Sequence, residues 1–175
     1  MTHQTREPKA PPDDAPSGAR RPADSITTMT EYVLPTHANA LGTIFGGQVL
    51  AWIDLCAAIC AQRHTGRTVV TAGIDDLSFD QTIRVGQVVR LRAQVTAAFR
   101  SSVEILVTVE GEDAIRGKVW PTVSAFVTFV AVDEAMRPAS VPPLILETEE
   151  ERRLAAAAAE RRSMRLSRRH HREPA

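Results

Sequence analysis

The chain has 175 residues, enough for one domain with tails and a core that buries roughly two-thirds of the unfolded surface. Lys and Arg number 21 and so do Asp and Glu, so the net charge of +0 gives the whole chain no bias toward nucleic acid or anionic membranes. Its apolar runs stop short of the about 18–20 residues that a membrane helix needs.

The opening stretch, MTHQTREPKAPPDDAPSGARRPADS, is rich in Pro, charge and small polar residues. Such a composition does not repay the entropy of ordering, which predicts a disordered arm over 1–25. It has no apolar h-region, and Asp13 and Asp14 do not suit a transit peptide, so the expected compartment is the cytoplasm. A β-prone run, TTMTEYV, follows, and then the loop PTHANALGTIFGG with Pro35, Gly42, Gly46 and Gly47.

A helix is predicted over 47–64. It is apolar nearly all round (Val49, Leu50, Trp52, Ile53, Leu55, Ile59), the signature of a buried helix, and Gly66 is placed to cap it. Cys56 and Cys60, one turn apart, read as buried free thiols; no His/Cys cluster supplies a metal set. Arg63 and His64 read as cations in the last turn, His37 as a turn former, and Trp52 as packing.

Strand patterns come next. TVVTAGIDDLSFD is β-branched with Gly73 inside it, and Gly86 marks a turn. Val89, Leu91, Ala93, Val95 and Ala97 alternate with polar residues, and Val103, Ile105, Val107 and Val109 repeat that period of two. TVSAFVTFVAVD is apolar on both faces, as an interior strand would be. One strand, one long helix and several further strands define an α+β class, an antiparallel sheet wrapped around one helix. From 147 the run ETEEERRLAAAAAERRSMRL predicts a C-terminal helix over 147–167, acids first and bases last, with a frayed basic tail over 168–175.

Asp54 shares a helix face with Gly47, Leu50, Ala57, Ala58 and Ala61. An acid on a small apolar face is either structural, satisfied by backbone or by Thr43, or functional. Gly46 and Gly47 open the same helix, where backbone N–H groups lack intrahelical partners and suit a developing oxyanion; as an isolated Gly-Gly they would merely allow a tight turn. Acid and amides together make a candidate acyl-transfer site.

The strings HANALGTIFGGQVLAWIDLCAAICAQRHTG, VVTAGIDDLSFDQTIRVGQVV, AAFRSSVEI and AAERRSMRL resemble the acyl-CoA thioesterases of the hotdog superfamily, above all the cytosolic acetyl-CoA hydrolase and brown-fat-inducible branch, over about 27–166. The resemblance implies a hotdog domain over 26–146, an active site between paired subunits, and dimers that assemble into a trimer of dimers. It implies acyl-CoA as substrate, with CoA part of substrate and product and no separate cofactor, metal, nucleic acid or membrane partner. It places the general base or nucleophile on Asp54 and the oxyanion donor on Gly47, with Gly46 beside it. Thr43 stands where relatives have Asn or Asp and is an assistant at best, since a hydroxyl is a poor base. For CoA the resemblance implies Ala72, Gly73 and Ile74, then Arg100, Ser101, Ser102 and Val103, and Arg162 of the AERR motif, whose planar fork suits phosphate. On composition alone Arg161 and Arg162 read as solvated helix surface. A non-catalytic acyl-CoA-binding or structural hotdog subunit is the alternative; a dehydratase would need a His on the helix before His64.

Overall fold

The computed structural model describes residues 18–170. Five antiparallel strands form one sheet: β1 (Thr27–Tyr32), β2 (Thr68–Phe79), β3 (Val88–Ala98), β4 (Ser102–Asp113) and β5 (Lys118–Val132), in the order β1-β3-β4-β5-β2. The long helix α1 (Gly46–Thr65) lies on one face, and α2 (Glu149–His170) follows the last strand.

The alternation read from the sequence sets the faces. Leu91, Ala93 and Val95 of β3, Val103, Ile105 and Val107 of β4, and Ala125, Val127 and Phe129 of β5 point at α1 and are buried. From the helix, Val49, Trp52, Ile53, Cys56, Ala57, Cys60 and Ala61 complete this core. Gly66 ends α1 in the left-handed conformation at φ 65°, its N–H donating to Gln62 O, as its position after the last periodic residue predicts. In the β4–β5 pair, Gly111 sits opposite Trp120, and a Cβ there would lie 2.5 Å from the indole, so only glycine fits.

The outer face of the sheet carries α2. A capping box starts it: Glu151 N–H donates to Thr148 Oγ1 at 3.1 Å, and Thr148 N–H donates to Glu151 Oε2 at 2.9 Å. The helix runs to His170, past the boundary expected at 167; 171–175 lie outside the described residues. The segment expected as an arm over 1–25 is ordered at its end. Residues 1–17 lie outside the described residues, but Pro22–Ser25 form a one-turn 3₁₀ helix, and Arg20 N–H donates to Pro143 O. The Arg20 guanidinium donates to His64 O at 2.9 Å and also to Arg63 O, occupying carbonyls at the end of α1. These tertiary bonds supply what local composition lacks.

The expectation of a helix buried all round holds for one side only. Ala51 and Leu55 are exposed, Leu55 by 51%, and Leu50, Asp54 and Ala58 are half-buried. That open side borders β2, a sheet edge of twelve residues none of which is buried. Among the described residues β2 hydrogen-bonds to β5 alone within the sheet, so its outer row of N–H and C=O groups is unpaired. Ile74 and Phe79 on β2, with Phe45 before α1, continue the exposed apolar strip; Val70, next to Thr71, is exposed on the opposite face.

Among the described residues no helix is long and apolar enough to cross a membrane, and no cluster of His, Cys, Asp and Glu could hold a metal.

Candidate active site

Asp54 stands in the middle of α1, half-buried at the open side. Its partner is Thr71 on β2, whose Oγ1–H donates to Asp54 Oδ1 at 2.8 Å. Neither the backbone nor Thr43, the partners the sequence suggested, holds it. One carboxylate oxygen is thus fixed against the edge strand while the group as a whole keeps a solvent side, the arrangement a base needs to take a proton from a bound water.

The loop before α1 folds on itself. Asn39 Oδ1 accepts from Leu41 N–H at 2.9 Å, Thr43 N–H at 3.3 Å and Thr43 Oγ1–H at 3.1 Å. Thr43 is therefore committed to the loop. With its oxygen occupied three ways, Asn39 has its amide N–H₂ as the remaining polar group. Asn39 was not among the expected site residues; its signal was present in the NAxG spacing of Asn39 and Gly42, where an Asx turn is a natural role.

Phe45 caps α1 in extended conformation, and Gln48 N–H and Val49 N–H both donate to its carbonyl. The N–H groups of Gly46 and Gly47 precede these bonds and have no backbone acceptor among the described residues. Gly47 is exposed, and a Cβ on it would fall 2.4 Å from Phe45 Cε1; Gly46 lies under the tip of Phe79. Two amides without a backbone acceptor at a positive helix end, flanked by two phenyl rings, suit a polarised carbonyl.

The residues expected to bind CoA fall into two groups. Ala72, Gly73 and Ile74 lie on β2 beside Thr71, where the register with β5 shifts between Thr71 and Gly73, leaving Ala72 out of the ladder. Arg100 and Ser101 lie in the β3–β4 turn and Ser102 and Val103 open β4, at one end of the sheet; Val103 pairs with Phe129 of β5, which pairs in turn with Thr71. Arg100 O and Ser101 O accept from Val141 and Ala131, and Val103 is fully buried, so Val103 offers backbone alone. Arg162 joins this end, its guanidinium 4.7 Å over the ring of Phe99.

Arg161 is not solvated surface. It reaches back to Glu104, with Nη2 2.7 Å from Oε1 and Nε 3.1 Å from Oε2, and stacks 3.5 Å over Phe126. Glu104 is fully buried, a residue that strand alternation alone would have placed toward solvent. His64 also departs from expectation. It is buried rather than a helix-end cation, its Nε2 lies 3.1 Å from Pro142 O, and burial first, then Arg20, holds its pKa below the ordinary imidazole value. His37 closes its turn, Nδ1 accepting from Leu34 N–H, and packs edge-on against Trp52. Burial pushes the Cys56 thiol up to about 11 and Cys60 to about 12, so both are protonated. A cavity of about 590 Å³, lined by Arg84, Arg116, Lys118, Asp80, Asp113 and Trp120, holds none of the expected site residues.

A helix cradled by an antiparallel sheet, with an acid at mid-helix and glycine amides at its start, is the hotdog thioesterase arrangement. Residues 41–117 match the thioesterase superfamily. A hexameric acyl-CoA thioesterase in its apo form superimposes with a TM-score of 0.82 at 41% identity, over 86% of this chain and 97% of that one. The acyl-CoA hydrolase of Staphylococcus aureus, solved with butyryl coenzyme A, coenzyme A and coenzyme A disulfide, gives 0.78 at 33%, over 85% and 91%. Variants of that hydrolase with an Asp, a Thr or an Asn replaced by Ala have also been solved. Mouse acyl-coenzyme A thioesterase 11 is 46% identical over 114 residues, 65% of this chain, and the chain spans about a fifth (19%) of that relative's length. The chain belongs to the thioesterase superfamily.

Proposed function

We propose that the protein hydrolyses acyl-CoA thioesters to a carboxylic acid and CoA in the cytoplasm, with each active site shared by two copies of the chain. The observation that carries this reading is the Asp54–Thr71 hydrogen bond at an uncovered sheet edge, on the same helix as the free Gly47 amide. The Staphylococcus aureus variants support it through their spacing: an Asn fifteen residues before the Asp and a Thr seventeen after it, the spacing of Asn39, Asp54 and Thr71 in this chain. Asn39 thus replaces Thr43 as the loop residue at the site.

In the reaction Asp54 takes a proton from water as the water oxygen bonds to the thioester carbon. The carbonyl oxygen becomes an oxyanion held by Gly47 N–H and the Asn39 amide. The C–S bond then breaks, CoA leaves as a thiolate, and the proton held by Asp54 restores its thiol. Direct attack by the Asp54 carboxylate, through an anhydride that water later cleaves, uses the same groups.

Distance argues for sharing. Positions 47 and 54 lie about 10 Å apart along α1 at 1.5 Å per residue. When Asp54 itself attacks, its oxygen at about 3 Å and an oxyanion donor at about 2.9 Å from one carbonyl stand only about 6 Å apart. With a water between them the span reaches about 9 Å, and only with all the groups in line. A two-fold axis beside β2 turns a second helix round, bringing its first turn to the middle of the first. It also covers Leu55, Ile74 and Phe79 and pairs the open edge. Three such dimers give the hexamer that the apo thioesterase forms.

On this reading Ala72, Gly73 and Ile74 meet the pantetheine, and Arg100, Ser101, Ser102, Val103 and Arg162 the nucleotide end. Thiol release from acyl-CoAs of two to sixteen carbons tests the proposal, with wild type beside Asp54→Asn. Base catalysis contributes typically about 10²–10⁴-fold, so the folded variant loses that much turnover. Equal activity in both removes Asp54 from the mechanism, and silence of a wild type that binds CoA makes the chain a non-catalytic acyl-CoA binder.

A further inference from the structure

We infer that Glu104 is a positioning residue: buried beneath α2, it grips Arg161 and so aims the neighbouring Arg162 at the phosphates of CoA. This rests on the reading above, in which the β3–β4 turn and α2 meet the nucleotide end of the substrate.

The outer face of the sheet explains why such a grip is needed. The helix docks through one stripe, Leu154, Ala158, Arg161 and Arg165, spaced four, three and four residues apart. Its upper half docks through Leu154 and small alanines, with Ala158 fully buried and Ala155 and Ala157 half-buried. A face with one large side chain among alanines fixes the rotation and slide of the helix only loosely. Its lower half is fixed by charge. Glu104 has no exposed surface; Oε1 accepts from Thr96 Oγ1–H at 2.8 Å and from Arg161 at 2.7 Å, and Oε2 accepts from Arg161 Nε. The two-pronged fork defines direction as well as distance. Arg165 backs it up, 3.8 Å from Glu104 Oε2 and paired with Asp75 on β2.

A buried ion pair is a poor device for stability alone, since apolar residues of the same shape hold such a site as well; what it supplies is a unique geometry. Arg162 is where that geometry is used. It is the next residue on the helix, turned about 100° from Arg161, exposed, and held over Phe99 at the β3–β4 turn beside Arg100 and Ser101. Rotation of α2 by a fraction of a turn would carry this guanidinium off the ring and away from the turn. The same network touches β2 through Asp75, so it joins the phosphate end to the strand that carries Thr71 and Gly73.

The test is substrate selectivity. Glu104→Gln keeps the shape but replaces one fork acceptor with a donor that opposes Arg161. Its kcat/KM for acyl-CoA falls about tenfold through KM, the worth of one misplaced phosphate contact. Its kcat/KM for acyl-pantetheine, which has no nucleotide, stays at the wild-type value. The double variant Glu104→Leu, Arg161→Met keeps the packing without the pair; it shows the same selectivity and serves should the single variant not fold. Equal loss with both substrates, or no loss with either, overturns the inference. Calorimetric binding of CoA against pantetheine reads the same selectivity without turnover, so a chain that hydrolyses nothing would refute the proposed reaction while this measurement still decides the role of Glu104.

Discussion

Two inactive variants should make one active enzyme. Gly47→Pro deletes the amide assigned to the oxyanion; proline is tolerated in a first helical turn, and the Phe45 ring that it displaces is 60% exposed and free to swing. Asp54→Asn deletes the base. Loss of one oxyanion donor costs typically about 10²–10³ in kcat and loss of a base about 10²–10⁴, so each variant alone is close to silent. After the two are mixed at equal concentration and exchanged through mild denaturant, half of the dimers are mixed. Each mixed dimer has one site with Gly47 from one chain and Asp54 from the other, and one site with neither. The activity recovered is therefore about a quarter of wild type for a two-fold symmetric pair. The assay is thiol release before and after exchange, with mixed dimers separated by a charge tag on one variant. The about 10 Å between these positions on one helix underlies the expectation. Mixed dimers as silent as their parents would show that a single chain supplies both groups and would refute the shared site.

Thr71→Val removes the hydroxyl that holds Asp54 but keeps its volume. A hydrogen bond to a charged group is worth about 1.5–3 kcal/mol, so kcat falls about 10- to 100-fold with KM unchanged; a loss confined to KM would mean that Thr71 contacts substrate instead. Burial holds the His64 pKa below its unfolded value, so the unfolded chain binds the extra proton first. Stability is unaffected by His64 above the unfolded pKa near 6.5 and declines as pH falls below it; melting temperatures from pH 8 to 5 should show a steeper acid decline in wild type than in His64→Gln. Cys56 and Cys60, protonated and enclosed, should resist a thiol reagent at pH 8 in the native protein and react fully in denaturant. Rapid native labelling would show that α1 opens locally.

The parts of the fold that were legible in the sequence are those with strong period. The alternation from Val89 to Val109 placed β3 and β4, and Gly66 marked the end of α1, because those signals are local and repeated. The partner of Asp54 was not legible. Thr71 lies seventeen residues away on an edge strand, and nothing in a helix pattern says which strand passes beside the acid. Glu104 was hidden for the converse reason: alternation gives its face correctly but not that a helix covers that face, and the Ala-rich run disguises the docking stripe. Thr43 stood out by its position after a glycine, yet the loop turns on Asn39, which three donors share. His64 looked like a surface cation because the last turn of a helix is normally exposed, whereas here the strap carrying Pro142 and the N-terminal Arg20 close over it.

The exposed edge of β2 has an evolutionary consequence. On the proposed reading β2 pairs with its own copy across a two-fold axis, so any substitution there occurs twice in each interface. A change worth about 1 kcal/mol in one chain then weighs about 2 kcal/mol on the assembled pair. The substrate, by contrast, meets each substituted residue once per site. Twelve residues that the single chain leaves unburied are thus tuned on two scales, steeply for assembly and gently for acyl recognition. The same doubling applies to each residue of α1 that the two-fold axis covers, Leu55 among them.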